Sequence, residues 1–201
     1  MSTWLRCAAV GALLMAGGAS SAEVDLGACA VCHGTNGNGN SVVRAPRIGG
    51  MEPWYLERQL RAFRAGWRGT HENDATGQEM RAIAAWLADD ATVQQVAERV
   101  SAYSAKPAPV TVAANAERGK QLYEQCASCH GARAEGNAAI GAPRLAGNTD
   151  WYMVTQLDNF RRGVRGTHEP DTFGAQMRAA AAALPDAQAA QDVIAYINLL
   201  R

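Results

Sequence analysis

Cys29-Ala-Val-Cys32-His33 and Cys126-Ala-Ser-Cys129-His130 decide how this chain of 201 residues is built. Cys-x-x-Cys-His is the attachment motif of a covalently bound c-type haem. Two thiols about one helical turn apart can add to the two vinyl groups of one porphyrin, and the imidazole of the next residue then lies beneath the iron. Zinc is the competing reading of paired cysteines, but it would need two further Cys or His ligands at each motif. Two covalently bound haems per chain are therefore the expected cofactors.

The motifs stand 97 residues apart, and the same ungapped offset relates Pro46-Arg47 to Pro143-Arg144, Trp54-Tyr55 to Trp151-Tyr152, Gln59 to Gln156 and Phe63 to Phe160. It continues from Gly69-Thr70-His71-Glu72 and Gly166-Thr167-His168-Glu169 to Met80-Arg81 and Met177-Arg178. Solenoid units run roughly 20–50 residues, so this period means two tandem copies of a whole small domain. The boundaries read as a leader at 1–22, a first domain at 23–105, a linker at 106–114 and a second domain at 115–201.

The duplication also selects ligands. His33 and His130 are the proximal iron ligands of the motifs. Met1 and Met15 fall in the leader, Met51 pairs with Asn148 and Met153 with Leu56, so only Met80 and Met177 match, each 47 residues after its histidine. A thioether opposite an imidazole raises an iron's reduction potential. A methionine can equally fill an apolar gap. His71 and His168, the only other histidines, also match and are the rival ligands. Their Arg-Gly-Thr-His-Glu setting is polar and loop-like, which points to a solvent-facing or docking role.

Arg6 precedes an uncharged run from Cys7 to Ala16 and a small-residue stretch ending at Ala22, the pattern of a cleaved secretory signal peptide. The apolar run is about half of the ~20 residues that span a bilayer. Cleavage removes Cys7 and leaves four cysteines, all committed to haem, with none for a disulfide. Nineteen basic and nineteen acidic residues balance, and losing Arg6 leaves the mature chain near −1. No basic stripe offers a nucleic-acid surface. Domains of this size bury modest cores, so each haem is expected to be structural as well as redox-active.

The elements read as helices, with no convincing strand. A helix from Asn115 to Gln125 leads into the second motif, with Gly119 permitting close helix contact. In the first copy Ala22 and Leu26 replace Gly119 and Tyr123, so its leading helix should be short and that copy the less stable. Gly-rich loops at 34–40 and 131–136 read as chain reversals. Helices over Trp54–Ala65 and Trp151–Arg162 stop at Gly66 and Gly163. Last helices follow Asp89-Asp90 and Pro185-Asp186, with Val96, Val100 and Tyr103, then Val193, Ile197 and Leu200, as buried stripes. The linker is Pro-containing and semi-extended.

Paired Cys-x-x-Cys-His motifs, a Pro-Arg-(Ile/Leu) segment 13 residues after each His, a Trp-Tyr helix and a late Met resemble the cytochrome c4 family over nearly the whole mature chain. The resemblance implies an all-α fold of two tandem class I cytochrome c domains, each wrapped around its haem. It implies a periplasmic shuttle between respiratory partners, such as a quinol:cytochrome c reductase, a terminal oxidase or a periplasmic dehydrogenase. It also implies that the Pro46 and Pro143 carbonyls orient the haem histidines and that Arg47, Arg144, Trp54 and Trp151 lie near propionates. The Gly-Thr-His-Glu-x-Asp stretch is similar to cytochrome c domains attached to terminal oxidases. The alternative function is therefore a dedicated subunit or electron acceptor of a terminal oxidase or inorganic-sulfur dehydrogenase, marked by co-purification. A peroxidase would need an open iron position, which duplicated methionines disfavour. A carrier needs no catalytic residue, and any membrane association would come through a partner complex.

Overall fold

Short polar side chains start most of the helices in this computed structural model, which describes residues 24–201. The leader read at 1–22, with Cys7 and Ala22, lies outside the described residues. The first copy contains α1 (Gly27–His33), α2 (Pro53–Arg64), α3 (Ala75–Ala84) and α4 (Asp90–Ser101). The second contains α5 (Ala116–His130), α6 (Asp150–Arg161), α7 (Thr172–Ala182) and α8 (Ala187–Ile197), with one 3-10 turn at Ala138–Ile140. Among the described residues there is no strand, only isolated bridges joining Asn40 to Ala45 and Asn137 to Ala142.

Asp89 accepts the Thr92 N–H at 2.7 Å ahead of α4, and Asp186 accepts that of Ala189 at 2.7 Å ahead of α8. Asp74, Asn115 and Asp171 cap α3, α5 and α7 in the same way. Each cap satisfies an N–H that the first helical turn leaves free. Pro53 opens α2, where its missing N–H costs nothing. Helices α2 and α6 run one residue earlier at each end than the sequence suggests. Helices α3 and α7, which carry Met80 and Met177, are additions to the sequence reading. Gly77 and Gly174 lie near their starts, where glycine weakens a helix, and α7 is rich in alanine.

The copies differ where the sequence expects. Helix α5 has 15 residues and α1 has 7. A Cβ at Gly119 would overlap the Asp192 carbonyl oxygen, so glycine sets the close crossing of α5 on α8. The core of the second copy holds ten buried residues, Tyr123, Val193, Ile194 and Ile197 among them; that of the first holds five, Leu26, Leu56, Val96, Ala97 and Val100. The linker is docked rather than free. Fully buried Asp150 accepts the backbone N–H groups of Thr111 and Val112 at 2.6 and 2.8 Å, the Thr111 hydroxyl at 2.7 Å and the Asn198 amide at 3.1 Å.

Between the copies the matched arginines of the Arg-Gly-Thr-His-Glu segments turn inward, unlike the polar surface their setting suggests. Arg68 and Arg165 are only 5% and 8% exposed. Arg68 donates to Gln59 Oε1 at 2.8 Å in its own copy and to Gln156 Oε1 at 3.1 Å in the other. Arg165 donates to Gln156 Oε1 at 2.8 Å and across to Gln59 Oε1 at 2.6 Å. Each guanidinium lies over the phenylalanine of its own copy, Phe63 at 4.1 Å and Phe160 at 4.4 Å. The ring has local two-fold symmetry and locks one copy onto the other.

Two expectations follow from this packing. Hydrogen exchange of the haem-loaded protein should show the α4 amides opening faster than those of α8, because fewer buried neighbours hold α4; equal protection would mean that the short α1 is compensated. The second concerns acid. Burial disfavours the charged form of Asp150, but hydrogen bonds from Thr111, Val112 and Trp151 outweigh it and hold the carboxyl below the usual carboxylate range. That stability is present above the unfolded value of about 3.9 and is lost as pH falls through the lower folded value. Urea titration of Asp150→Asn should show a loss of about 1–3 kcal/mol at neutral pH, shrinking below pH ~4.

Candidate functional site

In both copies the motif histidine is the last residue of its helix, and the following glycine-rich loop folds back over it. His33 and His130 are each 5% exposed. The His33 Nδ1–H donates to the Pro46 carbonyl at 2.8 Å and the His130 Nδ1–H to that of Pro143 at 2.8 Å. That bond fixes the tautomer and leaves the Nε2 lone pair free for a metal. Burial lowers both imidazole pKa values, with the carbonyls opposing, so the neutral, ligating form is favoured. Gly39 and Gly136 have φ of +85° and +82°, and a Cβ there would lie 2.6 Å from Arg47 N or 2.5 Å from Arg144 N. Only glycine lets the loop press against the amide that holds the histidine.

Each motif offers one half-buried and one exposed thiol, Cys29 with Cys32 and Cys126 with Cys129, all four free. Burial pushes the Cys29 thiol up and that of Cys126 up to about 11, so both stay protonated at neutral pH. Leu26, Ile48, Val100 and Tyr103 wall a cavity with Cys29 and His33. Paired thiols, an oriented Nε2 and an apolar wall fit a covalently bound haem.

Met80 and Met177 are half-buried and lie on other elements than the histidines, on α3, which packs against α2, and on α7, which packs against α6. His71 Nδ1 accepts the Asn73 N–H at 3.1 Å, and exposed His168 has Nε2 3.2 Å from the Thr70 hydroxyl of the other copy. Both histidines thus sit among polar partners. Trp54 and Trp151 are half-buried, edge-on to Tyr55 and Tyr152 at 5.9 and 6.2 Å.

Arg47 and Arg144 meet at the junction of the copies, lining a cavity of about 200 Å³ with Glu52 and Asn148. Burial and the like charge of Arg144 both disfavour the protonated form of Arg47. The Arg47 N–H donates to Thr149 Oγ1 at 2.9 Å and its guanidinium to Asn148 Oδ1 at 3.2 Å. The Arg144 N–H donates to Glu52 Oε1 at 3.0 Å. Glu52 and Thr149 are absent from the sequence-derived site. They occupy matching positions but differ in type, so a search for identical pairs passes over them.

Residues 116–201 match the family model described as cytochrome c, and residues 18–87 match that of the cytochrome c oxidase, cbb3-type, subunit III. The chain is 30% identical to cytochrome c4 of Azotobacter vinelandii, over 79% of each chain. It is 31% identical to the thiosulfate dehydrogenase electron acceptor of Thiomonas intermedia, covering 80% of this chain and 76% of that one. The structure of Acidithiobacillus ferrooxidans cytochrome c4 superposes with a TM-score of 0.70 at 27% identity, covering 86% of this chain and 98% of that one.

Gly136→Ala tests the loop's part in the site. Displacing the Pro143–Arg144 amide should lower haem retention at the second motif while sparing the first, as read by haem content per chain and by peptide mapping. Full occupancy of both motifs would show that the loop yields without moving the histidine.

Proposed function

The chain belongs to the cytochrome c4 family, a dihaem electron-transfer protein of two tandem all-α class I cytochrome c domains, and on that footing we propose that it works as a periplasmic carrier. The observation that carries the reading is the twice-built set of two thiols and one buried imidazole held by a proline carbonyl. Bound haem supplies reversible one-electron Fe(III)/Fe(II) chemistry.

Cys29 with Cys32, and Cys126 with Cys129, would hold the two groups by thioether bonds. His33 and His130 would ligate the irons through Nε2, and Met80 and Met177 would supply the second protein ligand of each. With each iron held by two side chains of this chain, outer-sphere electron transfer would need neither a substrate pocket nor a general base. Arg47, Arg144, Trp54 and Trp151 would neighbour the propionates. The Gly-rich loops and the Pro46 and Pro143 carbonyls hold the imidazoles still, so that little reorganises between oxidation states.

Export by the leader places the mature protein in the periplasm. Among the described residues no helix is long and apolar enough to cross a membrane. A dehydrogenase as donor and a terminal oxidase as acceptor suit the likenesses to a thiosulfate dehydrogenase electron acceptor and to a cbb3-type oxidase subunit. Service as a dedicated subunit of either enzyme is the second reading, favoured by the same match and tested by co-purification.

Axial ligation gives the direct test. The oxidised protein should show the weak far-red absorbance of a thioether-bound ferric iron, and Met80→His or Met177→His should each remove about half of it and lower one potential. Replacing His71 and His168 should leave it intact. Loss of the band in the histidine variants, with persistence in the methionine variants, would reverse the assignment.

A further inference from the structure

Glu52 and Thr149 immediately precede α2 and α6 and occupy matching positions in the two copies. A threonine in that place ordinarily caps its own helix. Neither side chain does so here, although five other helices are capped by the Asp or Asn in front of them. Both side chains instead reach across to the other copy. Thr149 Oγ1 accepts the Arg47 N–H at 2.9 Å, and Glu52 Oε1 accepts the Arg144 N–H at 3.0 Å.

The amides gripped in this way are the ones that hold the histidines. Pro46 C=O and Arg47 N–H belong to one peptide unit, as do Pro143 C=O and Arg144 N–H, and the two carbonyls accept the His33 and His130 Nδ1–H groups at 2.8 Å each. A continuous relay therefore runs from His33 through the Pro46–Arg47 amide to Thr149, and from His130 through the Pro143–Arg144 amide to Glu52. A hydrogen bond accepted from an amide N–H polarises the amide and strengthens its carbonyl as an acceptor. A carboxylate does so more than a hydroxyl, because charge-assisted bonds are the stronger ones. The stronger carbonyl draws the Nδ1 proton, makes the imidazole a more basic donor and favours the oxidised iron. The relays match in every member except the last, which is neutral for His33 and anionic for His130.

We propose that Glu52 of the first copy is a positioning residue for the iron of the second, lowering its reduction potential through the Pro143–Arg144 amide, and that Thr149 is its neutral counterpart for the first iron. The inference rests on histidine ligation as given under the proposed function. It supplies a cause for unequal potentials in two centres with the same ligands, and puts that cause in the opposite copy.

The test uses the two-haem holoprotein and spectroelectrochemical titration, with potentials assigned to copies by the displacement of the first in Met80→His. Glu52→Gln keeps an acceptor and removes the charge, so the second potential should rise and the first stay in place. Glu52→Thr, which reproduces the other terminus, should shift it in the same direction. In the reduced protein the His130 Nδ1–H resonance should move as its hydrogen bond weakens, while that of His33 does not. An unchanged second potential, or an equal shift in both, would overturn the proposal. A wild-type protein without two haems or without the thioether band would instead defeat the functional reading beneath it.

Discussion

The hydrogen bond from a buried imidazole to a proline carbonyl, made at His33–Pro46 and repeated at His130–Pro143, is the constraint on which the rest of each copy turns. It needs a helix that ends at the histidine, a loop that returns the chain within 13 residues, and glycines where that loop touches the proline amide. A buried histidine with one nitrogen committed to a carbonyl has a single outlet for its other lone pair. Thiols lie on the same helix as each histidine, and in the first copy apolar Leu26, Ile48 and Val100 stand beside Cys29 and His33, a setting suited to an apolar group. The modest core of the first copy makes sense in that light, since a haem supplies interior surface that an ~80-residue chain cannot supply alone.

The second constraint lies between the copies. Two buried guanidiniums would be costly without partners. Shared glutamine oxygens and the faces of Phe63 and Phe160 surround them instead, and no carboxylate forms an ion pair with either among the described residues. Because each arginine needs a glutamine from the other copy, separation of the copies would expose both cations to an incomplete shell. A fixed junction of this kind holds the two motif-bearing copies in one relative position.

Much of this arrangement is legible in the chain. The motifs name the cofactor, the constant offset gives the duplication, and Pro53, Asp89 and Asp186 mark helix starts where α2, α4 and α8 begin. The short α1 and the close crossing at Gly119 follow from single differences between copies. Other features escape such reading for physical reasons. Helices α3 and α7 carry a glycine in their first turn, and α7 is rich in alanine. Arg68 and Arg165 sit in a polar run that resembles a surface loop, and only tertiary contact shows that their charge is enclosed. Asp150 stands opposite Pro53 in the repeat, so its anchoring of the linker has no counterpart to reveal it. Glu52 and Thr149 act across the junction, and sequence carries no mark of which copy a side chain will serve.

The central claim is that both copies carry covalently attached haem. Intact mass of the mature protein under denaturing conditions decides it, since thioether bonds survive unfolding and coordinate bonds to zinc or free haem do not. The account predicts one species heavier than the signal-cleaved chain by two haems, with the added mass mapping to peptides containing Cys29–His33 and Cys126–His130. A chain with one haem, with none, or with haem lost on denaturation would contradict it.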